Sequence, residues 1–149
     1  MILFLDFDGV LHPEDRDAVA FCQAHLLWQI LRACPHVQVV FSTSWREVQS
    51  MNELVEFVTH GGGEDLRPRF IGTTPKVITD PQANFHRSRE AECLAWLEMN
   101  GHIETPWLAI DDIDHWFSPS STNLHLTNYK VGLTDADVEA IIAKLNAPK

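Results

Sequence analysis

The stretch that decides the fold is MILFLDFDGVL, Met1 to Leu11. From Met1 to Phe7 it is apolar except for Asp6. An apolar run without polar alternation belongs to a strand buried on both faces, as in a parallel sheet. Asp6 then lies in an apolar strand, where a carboxylate is costly unless a cation or hydrogen bonds compensate it. Asp8 follows at i+2, on the same side of an ideal strand. If the strand ends between them, both acids can approach one ligand.

Outward from this run, strands and helices alternate. Gly9 to Asp17 (GVLHPEDRD) is a polar, turn-rich connection. Ala18 to Ala33 reads as a helix with Leu27, Ile30 and Leu31 on one side, closed by Pro35. Val37 to Phe41 is a second strand, rich in β-branched residues. Ser44 and Glu47 have capping-box spacing for a helix that places Val48, Met51, Val55 and Val58 on one face. Gly61 to Gly63 end it. Glu64 to Phe85 is irregular, with a short strand near Arg69 to Ile71. Arg87 to Asn100 is a helix with Gly101 as its left-handed cap. Pro106 to Ile110 (PWLAI) is another strand, followed by Asp111 and Asp112. Asn123 to Leu126 is a further short strand. Thr134 caps a last helix carrying Val138, Ile141, Ile142 and Leu145 on one face. This alternation predicts an α/β fold, a mainly parallel sheet with helices on both faces. One domain over residues 1–149 is the simplest account, since no repeat, linker or low-complexity segment interrupts it.

The composition, 45% hydrophobic and 21% charged, suits a globular protein with a real core. No apolar run is long enough to cross a bilayer. No signal peptide precedes Asp6, so a cytoplasmic setting is expected. The three cysteines, Cys22, Cys34 and Cys93, have no CxxC spacing. They argue against a disulfide framework or zinc site and read as buried reduced thiols. A formal charge of −10 disfavours non-specific binding to long nucleic acid.

In parallel α/β sheets, ligands bind beyond the carboxyl ends of the strands. The first strand delivers Asp6 and Asp8 there, the second Ser42, Thr43 and Ser44, the next clear one Asp111 and Asp112. Asp6, Asp8 and Asp112 could supply oxygens to a Mg²⁺ that also takes a substrate phosphate. A carboxylate can also be a nucleophile, through an aspartyl phosphate.

The run FLDFDGVL, Phe4 to Leu11, resembles the first motif of the haloacid dehalogenase (HAD) superfamily, a DxD followed by glycine and an apolar residue. VVFSTSWRE, Val39 to Glu47, resembles its second motif, a Ser or Thr after the second strand. LAIDD, Leu108 to Asp112, is similar to its fourth, an acidic pair. Ser42 to Glu47, REAECLAWL (Arg89 to Leu97) and VGLTDADVEAII (Val131 to Ile142) look closer to the small HAD domains related to the phosphatase module of RNA-repair proteins.

The resemblance implies a Rossmann-like three-layer α/β/α sandwich and a Mg²⁺-dependent phosphohydrolase. Asp6 would attack phosphorus, and Asp8 would protonate the leaving oxygen and then activate water. Asp6, the Asp8 main-chain carbonyl and Asp112 would hold the metal, with Asp111 in support. Thr43 would bond a phosphoryl oxygen, with Ser42 as the alternative. The basic third-motif residue would be Arg89, with Arg87 and Lys76 as alternatives. Ser42, Ser44 and Arg46 would line the substrate, a phosphate ester such as a nucleotide or nucleic-acid end. Neither interval between motifs can hold a separate cap domain, so an open site is implied.

Plainer readings stand beside these. Asp6 and Asp8 could form a solvated strand end, and Asp111 and Asp112 a turn cap. Thr43 could be a helix cap, and Arg46 could pair with an acid. His12, just past the first motif, reads as a surface loop residue, with a place in the pocket lining as the alternative. Trp45 and Trp116 read as core or rim, though either could contact a ring. Two non-hydrolase alternatives are a phosphate-binding module without chemistry and a phosphorylated regulatory switch.

Overall fold

The computed structural model describes residues 1–77 and 87–148. Its sheet has five parallel strands, β1 (Ile2–Leu5), β2 (Gln38–Phe41), β3 (Phe70–Thr73), β4 (Trp107–Asp111) and β5 (Leu124–Leu126), in the order β3-β2-β1-β4-β5. The four α-helices among the described residues are α1 (Ala24–Ala33), α2 (Met51–Thr59), α3 (Ser88–Met99) and α4 (Asp135–Asn146). This is the expected three-layer, Rossmann-like arrangement, with no separate cap among the described residues.

The period-two side-chain pattern of the strands makes the layers. Leu3 and Leu5 of β1, Val39 and Phe41 of β2, and Leu108 and Ile110 of β4 point to one face. There they pack under Leu27, Ile30 and Leu31 of α1, Leu54 and Val58 of α2, and Ile141 and Leu145 of α4. Ile2, Phe4, Val40 and Ala109 point to the other face and meet Cys93, Trp96 and Leu97 of α3. Every residue of β1 is buried, as its unbroken apolar run requires.

Four sequence expectations are corrected. The first helix begins at Ala24 rather than Ala18. The chain turns through 18–23, and Phe21 adopts the left-handed conformation at φ 59°. Ser44 and Glu47 form no capping box; Ser44–Glu47 is a 3-10 turn capped by Thr43. The capping box belongs instead to Ser50 and Glu53 at the start of α2, which leaves Val48 exposed. Cys34 and Cys93 are buried as expected, but Cys22 is exposed. Of the irregular stretch, Glu64–Arg69 is a 3-10 turn leading into β3, while 78–85 lies outside the described residues. No described helix is long and apolar enough to cross a membrane.

The connections decide where a ligand can sit. From β1 the chain works outward to β2 and β3, then returns to the other side of β1 for β4 and β5. The strand order therefore reverses between β1 and β4, and the crevice beyond their carboxyl ends is the binding position of such sheets.

Candidate active site

Asp6 and Asp111 stand at that reversal. Backbone pairing continues one step past β1, with the Asp6 N–H bonded to the Ile110 carbonyl at 3.2 Å and the Ser42 N–H to the Leu5 carbonyl at 2.9 Å. Asp6 is thus fixed between β2 and β4 at the depth of the sheet. It shares a face with Ile2 and Phe4, the face covered by α3. Arg89, in the first turn of α3, reaches down onto it. One Arg89 nitrogen, Nη1, lies 3.3 Å from Asp6 Oδ1 and 3.5 Å from Asp111 Oδ2, and it also donates to the Ser42 carbonyl. The Trp116 ring covers the guanidinium from the other side, 4.7 Å from its centroid.

Asp6, Asp111 and Asp112 each bring a carboxylate oxygen within 4.8 Å of the other two. Burial, reinforced by the charge of Asp111, pushes the Asp6 carboxyl well above the usual carboxylate range; Arg89 and the Phe7 N–H do not offset it. Burial likewise pushes Asp111 up to about 7, against the opposing pull of Arg89 and the Ile113 N–H. One guanidinium does not balance this negative charge, and a hard divalent cation with oxygen ligands would.

Asp8 is held apart from this cluster. Trp45 Nε1 donates to Asp8 Oδ2 at 3.0 Å, and His12 Nε2 lies 2.8 Å from Oδ1. His12 Nδ1 accepts the Phe21 N–H at 3.1 Å. With Nδ1 as acceptor, the neutral ring carries its proton on Nε2 and donates it to Asp8. The His12 bond, with that of Trp45 and against partial burial, holds the Asp8 carboxyl below the ordinary value. His12 is therefore buried and bonded to a site acid, not the surface loop residue that its polar surroundings suggest. Phe21, four residues beyond the charged stretch that ends at Asp17, completes this arrangement, and nothing local in the sequence marks it.

The remaining expected residues separate into two groups. Ser42 and Thr43 are both buried. Thr43 Oγ1 accepts the Trp45 N–H at 3.2 Å, so it caps the 3-10 turn. Ser42 Oγ has no hydrogen-bond partner among the described residues. Arg46 does not face the acidic cluster: its Nε and Nη1 donate to the Thr74 and Thr43 carbonyls at 2.9 and 2.8 Å, and its Nη2 pairs with Glu92. Ser44 is exposed at the start of the turn. Lys76 pairs with Glu47 at 3.2 Å, and Arg87 is an exposed, left-handed residue ahead of α3. Arg89 is the described cation that reaches Asp6.

Residues 2–138 match the family described as the HAD domain in Swiss Army Knife RNA repair proteins. The chain belongs to that family. No curated protein and no solved structure matches it significantly. Membership makes the chain a HAD-type hydrolase domain at the coarse level, in a superfamily that typically uses a divalent metal. The buried acidic cluster of this HAD domain provides a donor set of the right kind for such an ion.

Proposed function

We propose that this HAD domain is a Mg²⁺-dependent phosphomonoesterase that works through an aspartyl phosphate on Asp6, with a nucleotide or nucleic-acid end as substrate. The observation that carries the reading is Asp6 itself. It is a buried carboxylate at the reversal of the sheet, with Arg89 at 3.3 Å and two further carboxylates beside it.

Asp6 and Asp112, with the Asp8 main-chain carbonyl, would hold the metal. Asp111 stands behind them, tied to Arg89 and to the Ile113 N–H at 3.0 Å. When bound, Mg²⁺ supplies positive charge against the carboxylates and the phosphoryl oxygens. Arg89 adds to that charge, and together with a bound cation it favours the ionised form of Asp6 that a nucleophile needs, against the burial that opposes it. Ser42 is the better donor to a phosphoryl oxygen than Thr43, because its buried hydroxyl has no other partner among the described residues while that of Thr43 is used as a cap. Arg46 braces the Ser42–Thr43 turn from behind.

An Asp6 oxygen attacks phosphorus, and the bond from phosphorus to the ester oxygen breaks. Asp8 gives that oxygen its proton. A water then attacks phosphorus, gives its proton to Asp8, and releases phosphate and the free Asp6 carboxylate. The His12 and Trp45 hydrogen bonds favour the charged form of Asp8, which suits the second step. The first step needs the carboxyl form, which a phosphate dianion beside Asp8 favours. We read the setting as cytoplasmic, in keeping with three cysteines that are all free.

The test is phosphate release from phosphate monoesters by wild type and Asp6→Asn, with Mg²⁺ and with EDTA. Turnover that requires Mg²⁺ and falls by a factor on the order of 10⁴ or more in Asp6→Asn is expected. Turnover that survives the substitution rejects the mechanism. Phosphorylation of Asp6 that persists without release of phosphate assigns a regulatory switch instead.

A further inference from the structure

We infer that an aromatic hollow beside Asp8 binds a planar heteroaromatic leaving group, so that the substrate is a small ester such as a nucleoside monophosphate. The inference rests on the phosphatase reading above.

Two hollows meet at Ala20. The inner one, about 400 Å³, begins at Asp8 and His12 and passes Glu14, Asp15 and Arg16. The outer one, about 590 Å³, is lined by Phe21, His25, Trp28, Phe57 and His60, with Cys22 at its edge. That volume is in the range of sites for small organic ligands. None of these residues belongs to the Asp6, Asp111 and Asp112 cluster.

The two hollows share a wall with the catalytic machinery. The Trp45 ring that donates to Asp8 lies 5.3 Å from the Phe21 ring and 5.9 Å from the Phe57 ring, and Phe21 and Phe57 stack at 5.7 Å. Phe21 is held in place by its N–H bond to His12, in a left-handed conformation that a bulky residue keeps only when its surroundings impose it. Asp8 itself lines the inner hollow, so a leaving group whose ester oxygen meets Asp8 can extend into that hollow toward Ala20.

The lining selects what can follow. Half-buried Phe21, Trp28 and Phe57 offer flat apolar surface to a ring. The exposed imidazoles of His25 and His60 can give and accept hydrogen bonds at the edge of a heterocycle. An aliphatic alcohol uses neither feature. Glu14 and Asp15 line the inner hollow and Glu56 the outer, against the single cation Arg16. With a formal charge of −10 on the chain, further phosphates on the leaving group are repelled. This favours a lone monoester over a polynucleotide end.

The experiment compares kcat/KM for a nucleoside 5′-monophosphate, phenyl phosphate, glycerol phosphate and a 5′-phosphorylated oligonucleotide. It uses wild type, Phe57→Leu and Cys22→Trp, the last filling the hollow from an exposed position. Wild type should prefer the nucleotide to each of the other three. Both variants should shrink its advantage over glycerol phosphate by about tenfold, the scale of one stacking contact. Equal rates on nucleotide and glycerol phosphate, or a ratio that neither variant moves, overturn the site. Phenyl phosphate used as well as the nucleotide overturns the heterocycle, and a preferred oligonucleotide overturns the small substrate. If no ester is hydrolysed, the phosphatase reading fails. Calorimetric titration with a free nucleoside then judges the hollow alone: saturable binding weakened in Phe57→Leu upholds it, and no binding overturns it.

Discussion

Gly9 lies against Asp112 so closely that a Cβ on Gly9 would fall 2.3 Å from Asp112 Oδ2. Gly9 also has φ +73°, where a side chain is strained whatever the space. The glycine after the DxD therefore does two things: it turns the chain away from β1, and it lets Asp112 approach the cluster. Thr127 supports the same turn, its Oγ1 donating to the Gly9 carbonyl at 2.7 Å and its N–H to the Asp111 carbonyl at 3.0 Å.

Gly9→Ala should consequently lower stability by about 1–2 kcal/mol and weaken Mg²⁺ binding by roughly tenfold or more. Denaturant unfolding with EDTA reads the first effect, and Mg²⁺ titration of the thermal midpoint reads the second. Lost stability with an unchanged Mg²⁺ half-saturation would reduce Gly9 to a turn residue.

Arg89 joins two buried acids that resist ionisation. Without the guanidinium, each acid must either carry an uncompensated buried charge or take up a proton, and both cost stability. Arg89→Ala should cost about 3 kcal/mol of unfolding free energy in EDTA at neutral pH. Saturating Mg²⁺ should return part of it. Adding Asp6→Asn should also return part, because it removes one of the two acids that Arg89 compensates; a double-mutant cycle measures that coupling. A loss that is the same with and without the Asp6 charge would mean that Arg89 acts only by filling space under Trp116.

Much of this architecture is legible in the chain. The Met1–Phe7 run can only be a doubly buried strand, and Asp6, Asp111 and Asp112 follow from being acids at strand ends. Arg89 stands just ahead of the helix pattern E-x-x-x-W, which sets it before Arg87 and Lys76 as the third-motif residue, and the structure puts it on Asp6. What was not legible depends on long-range partners. Ser44 and Ser50 both begin an S-x-x-E pattern, and only packing decides between them: Thr43 takes the Trp45 N–H while Arg46 is drawn to Glu92. The Ala18–Gln23 segment has helical composition, but the Phe21 N–H bonds to His12 instead of a helical carbonyl. Ser42 and Thr43 are adjacent and chemically alike, and only the alternation of strand faces separates their hydroxyls.

His12 holds Asp8 through a hydrogen bond of 2.8 Å whose direction is set by Phe21 on the other ring nitrogen. Its role is positioning. His12→Ala should lower kcat by up to about 10²-fold with a smaller change in KM, since a reacting group misplaced by about 1 Å costs that much. His12→Gln, whose amide nitrogen can occupy the place of Nε2, should recover part of the rate. The pH profile should also move, because loss of the bond removes the main influence holding the Asp8 carboxyl low. Equal rates for the two variants, with an unmoved profile, would assign His12 to packing alone.

The far end of the sheet gives a pH prediction independent of the site. Thr134 and Asp137 form the capping box of α4, and His125 on β5 lies 2.8 Å from Asp137 Oδ1. His125 Nδ1 in turn faces Lys144 Nζ at 3.2 Å, so Lys144 donates to the ring and the ring donates to Asp137. Burial works against the Asp137 charge, but the bonds from His125 and Thr134 outweigh it and hold the carboxyl below its ordinary value of 3.8. A carboxyl whose folded pKa is depressed stabilises the fold above its unfolded pKa and loses that contribution as pH falls through the folded value. Wild type should therefore exceed Asp137→Ala by about 1 kcal/mol at pH 7, the usual scale of a helix cap. The gap should narrow as pH falls below about 4, the ordinary range of an unfolded Asp, while the Thr134 hydroxyl keeps its bond to the Asp137 N–H. Urea unfolding of both proteins from pH 7 to pH 3 measures it. A gap that stays constant across that range would show that the Asp137 charge contributes nothing and that its packing against His125 accounts for the whole effect.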